Sequence, residues 1–310
     1  MENAKNDVIL SIVVPTYNHE KYIAQTLDGI LLQKTSYPYE VLVGEDASTD
    51  GTRSVLQEYE KKYPGRFTMI YRDVNAGGFG NNNGGDLVAR ARGKYLAYLE
   101  GDDFWIDEDK LELQLSFLEE HTDYVAAGCN TVVVNERSEP NGETYPQCRE
   151  EEYTLKHYRR GLFPGQTACM VYRMDAYRAM GQDEIWLTCP MPGDRIIYFW
   201  MACHGKIRCI QREMSAYRHV TSGGTSYSAS RKVSYEEMIQ WWKNLVGMSY
   251  RMHNREAEIT AEGRYFTRMI MGGLLEKEIG MRGFLKEYWN MRHKIAVPCT
   301  RVGDFLRGYR

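Results

Sequence analysis

The feature that most constrains this chain is Lys94-Tyr95-Leu96-Ala97-Tyr98-Leu99-Glu100-Gly101-Asp102-Asp103-Phe104-Trp105, an apolar run that passes straight into three carboxylates within four positions. Carboxylates this close repel one another and shift their own titration unless a cation or strong donors neutralise them. Magnesium or manganese meets that need, because both take oxygen ligands and magnesium uses one or two carboxylates while phosphate oxygens and waters fill the rest. An acidic surface turn is the competing reading. The metal-site reading is preferred because the run closes a buried-looking strand, where open α/β sheets place their ligands.

Upstream the same logic recurs. Val8-Ile9-Leu10-Ser11-Ile12-Val13-Val14, ended by Pro15, reads as a buried strand. After Thr16-Tyr17-Asn18-His19, a helix is predicted with Ile23, Leu27, Ile30 and Leu31 on one face, broken at Tyr37-Pro38. Tyr39 to Gly44 is a second strand that delivers Glu45 and Asp46. Ser48-Thr49-Asp50-Gly51-Thr52 carries turn and cap chemistry into a helix through Tyr63, and Phe67 to Tyr71 is a third strand. A Gly/Asn-rich segment from Asn75 to Gly85 precedes a short helix, Leu87 to Arg92. Strands alternating with helices predict an α/β fold with a parallel sheet, and parallel strands bring Thr16-Tyr17-Asn18, Glu45-Asp46 and Glu100-x-Asp102-Asp103 to one edge.

Composition narrows the partners. A net charge of -3 over 310 residues gives no reason to expect nucleic acid. The charge is uneven: residues 231–310 carry 15 Lys/Arg against 9 Asp/Glu, so the tail is basic and the body acidic. Seven cysteines, without a C-x-x-C pair or a zinc-finger spacing, read as reduced thiols of a cytoplasmic protein. No secretory signal pattern opens the chain, and no run approaches the roughly 20 apolar residues of a membrane span.

Three motifs in order, Val13-Val14-Pro15-Thr16-Tyr17-Asn18, Glu45-Asp46-Ala47-Ser48-Thr49-Asp50-Gly51-Thr52, and Gly93-Lys94-Tyr95 leading to Glu100-Gly101-Asp102-Asp103-Phe104-Trp105, resemble the family 2 glycosyltransferases. The resemblance implies the GT-A fold, a Rossmann-like, mostly parallel sheet flanked by helices. It covers roughly the first two thirds of the chain. Within 1–230 the nucleotide-sugar half is expected at about 1–110 and the acceptor half at about 111–230, followed by a helical, basic C-terminal extension over 231–310. The resemblance implies nucleotide contacts from Pro15, Thr16, Tyr17, Asn18, Glu45, Asp46, Asn83, Glu100, Gly101 and Asp102, with Asp46 on the pyrimidine base. It also implies a manganese or magnesium ion held by Asp102, with Glu100 as a second ligand or as a partner of ribose or of a metal-bound water. Glu45 and Glu100 stand where aspartates are commoner in the family.

The later segments follow the same resemblance. Phe163 to Arg173 is similar to the family's acceptor-side loop and strand, which would put Gln166 and Thr167 on sugar hydroxyls. Pro192-Gly193-Asp194-Arg195 opens an apolar helix that ends near Gly205-Lys206-Ile207. At that position Asp is a common helix cap, and the family implies that Asp194 is the general base; the two roles are compatible. Arg218 and His219, followed by Gly223-Gly224-Thr225-Ser226, resemble a lid over the diphosphate. Asn135 to Cys148 reads as a polar surface excursion. From Val233 onward Trp241, Trp242, Leu245, Met248 and Met252 fall at helical spacing and read as packing faces, with further helices over Met269 to Ile279 and Phe284 to Ile295.

The chain is thus expected to be an inverting, metal-dependent enzyme that moves a sugar from a nucleotide-diphosphate donor, of UDP type, to an acceptor hydroxyl on a glycan or lipid-linked glycan. Cell-surface or capsular polysaccharide synthesis is the implied setting, at the inner face of the membrane if the basic extension makes a peripheral contact. A nucleotidyltransferase would need a phosphate-cradling loop where Thr16-Tyr17-Asn18-His19 stands. A dehydrogenase would need G-x-G-x-x-G there, and Gly78-Phe79-Gly80 follows the wrong strand. The alternative from another class is a non-catalytic sugar-nucleotide or glycan binder with a degenerate site.

Overall fold

The computed structural model describes residues 8–77, 82–189, 191–220, 233–271 and 280–306. β-Branched and apolar runs form β1 (Leu10–Thr16), β2 (Tyr39–Glu45), β3 (Thr68–Tyr71) and β4 (Tyr95–Tyr98). Helices α1 (Ile23–Leu31), α2 (Thr52–Lys62) and α3 (Asn83–Arg90) make the crossovers. These four strands pair in parallel in the order β3-β2-β1-β4. The chain therefore builds outward from β1 to one side and returns to its other side. That reversal is the switch point at which open α/β sheets bind ligands, beyond the carboxyl ends of the strands.

The second half extends the sheet with mixed pairing. It comprises β5 (Phe104–Trp105), α4 (Lys110–Glu120), β6 (Tyr124–Val134), β7 (Glu152–Tyr153), α5 (Leu155–Arg160), β8 (Val171–Arg173), α6 (Met174–Gly181), α7 (Glu184–Thr188), α8 (Gly193–His204) and β9 (Lys206–Arg218). Strand β8 runs antiparallel between β4 and β6, β9 lies parallel to β6, and β5 and β7 both pair antiparallel with β9. The GT-A layering expected from the sequence is present. Tyr124 to Val134 forms one strand whose register against β9 shifts near Cys129 and Asn130.

Alternation along β1 divides the core. Leu10, Ile12 and Val14 face a cluster with Ile23, Leu27, Leu56, Leu111 and Leu115 from α1, α2 and α4. Val13 faces the other way, into a larger cluster with Leu42, Leu96, Tyr172 and Ile197, and each such fully buried aliphatic contributes about 1.5–3 kcal/mol. Among the described residues four helices follow: α9 (Tyr235–Arg251), α10 (Arg255–Arg268), α11 (Gly280–Asn290) and α12 (Ala296–Leu306). Trp241, Trp242, Leu245, Met248, Ala257 and Ala261 from α9 and α10 enter that same larger cluster. The packing faces read from the sequence thus share one core with β8, α8 and β9. The boundary expected at 230, the Gly223-Gly224-Thr225-Ser226 lid, the Gly78-Phe79-Gly80 segment and most of the helix expected over Met269 to Ile279 lie outside the described residues.

Candidate active site

A cleft of about 1100 Å³ opens beyond the carboxyl ends of β1, β2 and β4. One wall carries residues that the motifs put at the nucleotide. Pro15, Thr16, Tyr17, Asp46, Asn83, Glu100 and Asp102 all line it. Asp46 is fixed from two sides: its backbone N donates to Thr16 O at 3.0 Å and its Oδ1 accepts from Ala76 N at 2.9 Å. Asn83 donates from Nδ2 to Gly44 O at 2.7 Å.

Three of the expected nucleotide contacts stand behind this wall. Asn18, in the left-handed region at φ 56, accepts at Oδ1 from Thr49 N at 2.8 Å and so ties two loops together. Glu45 is fully buried, with Arg53 Nη2 at 2.5 Å and Ser48 N donating to Oε1 at 2.5 Å. The longer side chain reaches back under the loop to meet Arg53, which explains why a glutamate serves there. Gly101 allows a close approach, since a Cβ would come within 2.6 Å of Thr16 Oγ1 and 2.8 Å of His19 Nδ1. His19 was not singled out from the sequence; its Nε2 stands 3.9 Å from Asp102 Oδ2. Burial lowers its pKa, opposed by the Asp102 charge.

The acidic cluster separates into two roles. Asp103 turns inward, nearly inaccessible, where Arg218 N donates to Oδ1 and Gln166 Nε2 donates to Oδ2, both at 2.8 Å. Glu100 and Asp102 face the cleft. Burial first, then the charges of Asp102 and Asp194, pushes the Glu100 carboxyl up to about 8. Among the described residues no group of three or more His, Cys, Asp or Glu forms a protein-only metal cage. Magnesium and manganese do not require one when a diphosphate supplies further oxygens, and two carboxylates lining the same cleft, one of them raised by burial and by its acidic neighbours, fit such an ion.

Across the cleft stands Asp194. It is the second residue of α8 and not its cap: Pro192 holds the N-cap position, and Asp194 Oδ1 accepts from Arg195 N at 2.8 Å. Burial raises its pKa, with the Arg195 charge pulling the other way. Around it the wall is aromatic, with Tyr145, Tyr172, Tyr177 and Trp186. Tyr145 comes from the segment expected to be a polar surface excursion, and its contacts with Phe163 and Tyr217 fold it into the wall. Spacing offered no signal for it, because no periodic element carries it.

Of the expected acceptor and lid residues, Gln166, Thr167 and Arg218 line the cleft, and Gln166, nearly buried, donates to Asp103 Oδ2 and accepts from Ala168 N. Arg218, 1% exposed, is a strut: it donates to Asp102 O, Asn135 O and Gln25 Oε1 and lies 4.3 Å from the centre of the Tyr22 ring. Its guanidinium holds the Asp102 carbonyl and its backbone N holds the Asp103 carboxylate. His219 Nδ1 is paired with Glu143 at 2.5 Å.

Comparisons with known proteins bear on the family and the fold. Residues 11–181 match the family model of glycosyl transferase family 2. An uncharacterised protein of Mycobacterium tuberculosis strain H37Rv is 34% identical over 225 residues, 72% of this chain and 63% of that protein. A poly(ribitol-phosphate) beta-glucosyltransferase of Bacillus spizizenii is 33% identical over 120 residues, 38% of this chain and 18% of that enzyme. The crystal structure of S. aureus TarS 1–349 in complex with UDP-GlcNAc shares the fold, with a TM-score of 0.66 at 20% identity over 93% of this chain and 81% of that one. The chain therefore spans less than two thirds of the length of the mycobacterial relative.

Proposed function

Because the chain belongs to glycosyl transferase family 2, we propose that it moves one sugar from a nucleotide diphosphate, of UDP type, to an acceptor hydroxyl with inversion, in the synthesis of a cell-surface glycan. The observation that carries the reading is the shared cleft: Asp194 stands near enough to Glu100 for its charge to raise that carboxyl, while Asp46, Tyr17 and Asp102 line the other side. As the acceptor oxygen attacks the anomeric carbon, its proton passes to the Asp194 carboxylate and the electron pair of the breaking C–O bond leaves with the diphosphate. Burial makes Asp194 a stronger base than a solvated carboxylate. The clamped Asp46 and Asn83 orient the nucleoside, so the two reactants meet in line. Asp102 and Glu100 would hold a magnesium or manganese ion, which when bound neutralises charge on the diphosphate.

A membrane surface is the second partner in this reading. Met281, Leu285 and Trp289, one turn apart on α11, are all exposed, with Arg282 and Lys286 beside them. An apolar stripe edged by cations is the pattern of a helix lying in a lipid interface. No described helix is long and apolar enough to cross a membrane, and all seven cysteines are free thiols, which supports the reducing, cytoplasmic face.

Asp102→Asn tests the enzymatic reading. UDP release from a UDP-sugar with acceptor should require manganese or magnesium in the wild type and be lost in the variant, at unchanged thermal stability. A wild type that binds UDP-sugar but never releases UDP would instead be a non-catalytic binder.

A further inference from the structure

The cleft extends well past its nucleotide wall. At about 1100 Å³ it exceeds the roughly 300–1000 Å³ of an ordinary small-ligand cleft. Four aromatic residues of its lining, Tyr98, Tyr172, Tyr177 and Trp186, have no part in the mechanism above. They make one row. On β4, Tyr98 stands two residues before Glu100 and on the same sheet face as Leu96, which pairs with Tyr172 of β8. A Cβ at Gly84 would collide with the Tyr98 hydroxyl, so a glycine on α3 makes room for that ring. The ring centres of Tyr172 and Tyr177 are 5.4 Å apart, and those of Tyr177 and Trp186 are 6.3 Å apart, edge to face. Trp186 Cη2 lies 3.5 Å from where a Gly193 Cβ would be, and Asp194 is the next residue. The row therefore runs from the strand that delivers Glu100 to the start of the helix that delivers Asp194.

The reaction dictates what lies along such a row. An anomeric carbon under attack has to sit between a diphosphate at Glu100 and Asp102 and a base at Asp194, so its own ring covers the residues that span that interval. Aromatic faces carry negative potential, and the C–H face of a pyranose, polarised by the ring and hydroxyl oxygens, stacks on them. Polar partners are few there. Tyr172 is 1% exposed, its hydroxyl has no hydrogen-bond partner among the described residues, and Val88, Met191 and Ile197 of the same lining are apolar. A plain hexose brings a hydroxyl at every substituted carbon, and each one desolvated against an apolar wall without a partner is unfavourable. An acetamido group suits the lining better, because its carbonyl accepts from the Tyr172 hydroxyl while its methyl covers apolar surface.

We propose that Tyr177, Trp186 and the Tyr172 hydroxyl form the pocket for the donor's sugar ring and select an N-acetylhexosamine over a plain hexose. The assignment rests on the reading of the cleft as a glycosyltransferase site with Asp194 as base. The nucleotide is held by the other wall, so these residues set the preference among sugars and not the affinity for UDP.

Calorimetry on the full chain with manganese tests the pocket, with UDP as internal standard and UDP-N-acetylglucosamine and UDP-N-acetylgalactosamine set against UDP-glucose and UDP-galactose. At least one acetamido sugar should bind more tightly than its parent hexose by about tenfold or more. Trp186→Ala should bring the pair within a few-fold of each other while UDP affinity holds, and Trp186→Phe should keep the preference. Tyr172→Phe is the second variant: it removes one oxygen that has no partner, so thermal stability should hold and the preference should shrink. Equal affinity within both pairs, a preference for the plain hexoses or for UDP-glucuronic acid, or a preference that survives in both Trp186→Ala and Tyr172→Phe overturns the proposal. So does a Trp186→Ala protein whose only defect is a raised KM for the acceptor, since that would give the row to the acceptor. UDP binding without any preference among sugars refutes the pocket alone, whereas no heat with UDP refutes the glycosyltransferase reading and the pocket with it.

Discussion

The two walls of the cleft satisfy their polar groups in opposite ways. On the wall of the nucleotide motifs Asp46 and Asn83, and behind it Asn18 and Glu45, are each bound to backbone or to a fixed partner, so their orientation is settled before any ligand arrives. On the wall around Asp194, the Tyr172 hydroxyl is buried without a hydrogen-bond partner among the described residues, and Asp194 accepts from Arg195 N of its own helix. A buried donor left unmade costs about 1–3 kcal/mol. The wall of the nucleotide motifs is therefore preorganised, while the wall around Asp194 keeps an unmet hydrogen bond that a hydroxylated ligand can complete.

The largest test of this contrast is Asp194→Asn. The amide keeps the size and the oxygen that accepts from Arg195 N, but it cannot take up a proton at neutral pH. Transfer should fall about 10²- to 10⁴-fold, and donor affinity should stay within a few-fold, because the nucleotide contacts belong to the other wall. Single-turnover transfer alongside calorimetry for the donor separates the two. A large loss of donor affinity would mean that the walls are not independent.

How much of this was legible in the sequence follows the same divide. β1, β2 and β4 are read from their β-branched runs, and the acids at their ends are read with them, because a parallel strand fixes where its carboxyl end points. Asp194 is legible from its place at the start of an apolar helix. Tyr145 and Trp186 are not, since they reach the cleft through tertiary packing from a loop and a short helix. The strut role of Arg218 was equally hidden: residues 25, 102 and 135 meet it only in space. Residue type told that Glu45 was polar but not that Arg53 would draw it out of the cleft.

Glu45→Gln sharpens the donor side. The substitution keeps an acceptor for Ser48 N and removes the charge facing Arg53, whose side chain is 37% exposed while that of Glu45 is fully buried. Stability should drop by about 1–3 kcal/mol, toward the lower end because Arg53 can turn to water. Urea unfolding measures it. UDP affinity in the folded variant should weaken only modestly, through a looser loop; a complete loss with stability intact would put Glu45 in contact with the ligand after all.

The smallest expected effect is a slope with pH. Glu100 is raised from 4.5 to about 8, by burial first and then by Asp102 and Asp194, and Asp103 is raised in the same direction by burial, Asp102 and Glu100. Between 4.5 and about 8 the folded, ligand-free protein holds a proton on Glu100 that the unfolded chain has released. Stability contributed by that proton is present below the unfolded value and is lost as pH rises through the folded one. The wild-type Tm should therefore fall, relative to Glu100→Gln, as pH increases across this window, and the difference should level off above it. Adding magnesium with UDP should flatten the difference, because a cation beside Asp102 replaces the proton as the neutralising charge. A wild-type curve parallel to that of Glu100→Gln would mean that Glu100 is ionised in the empty cleft. A difference that survives saturating magnesium and UDP would place the ion on Asp102 alone.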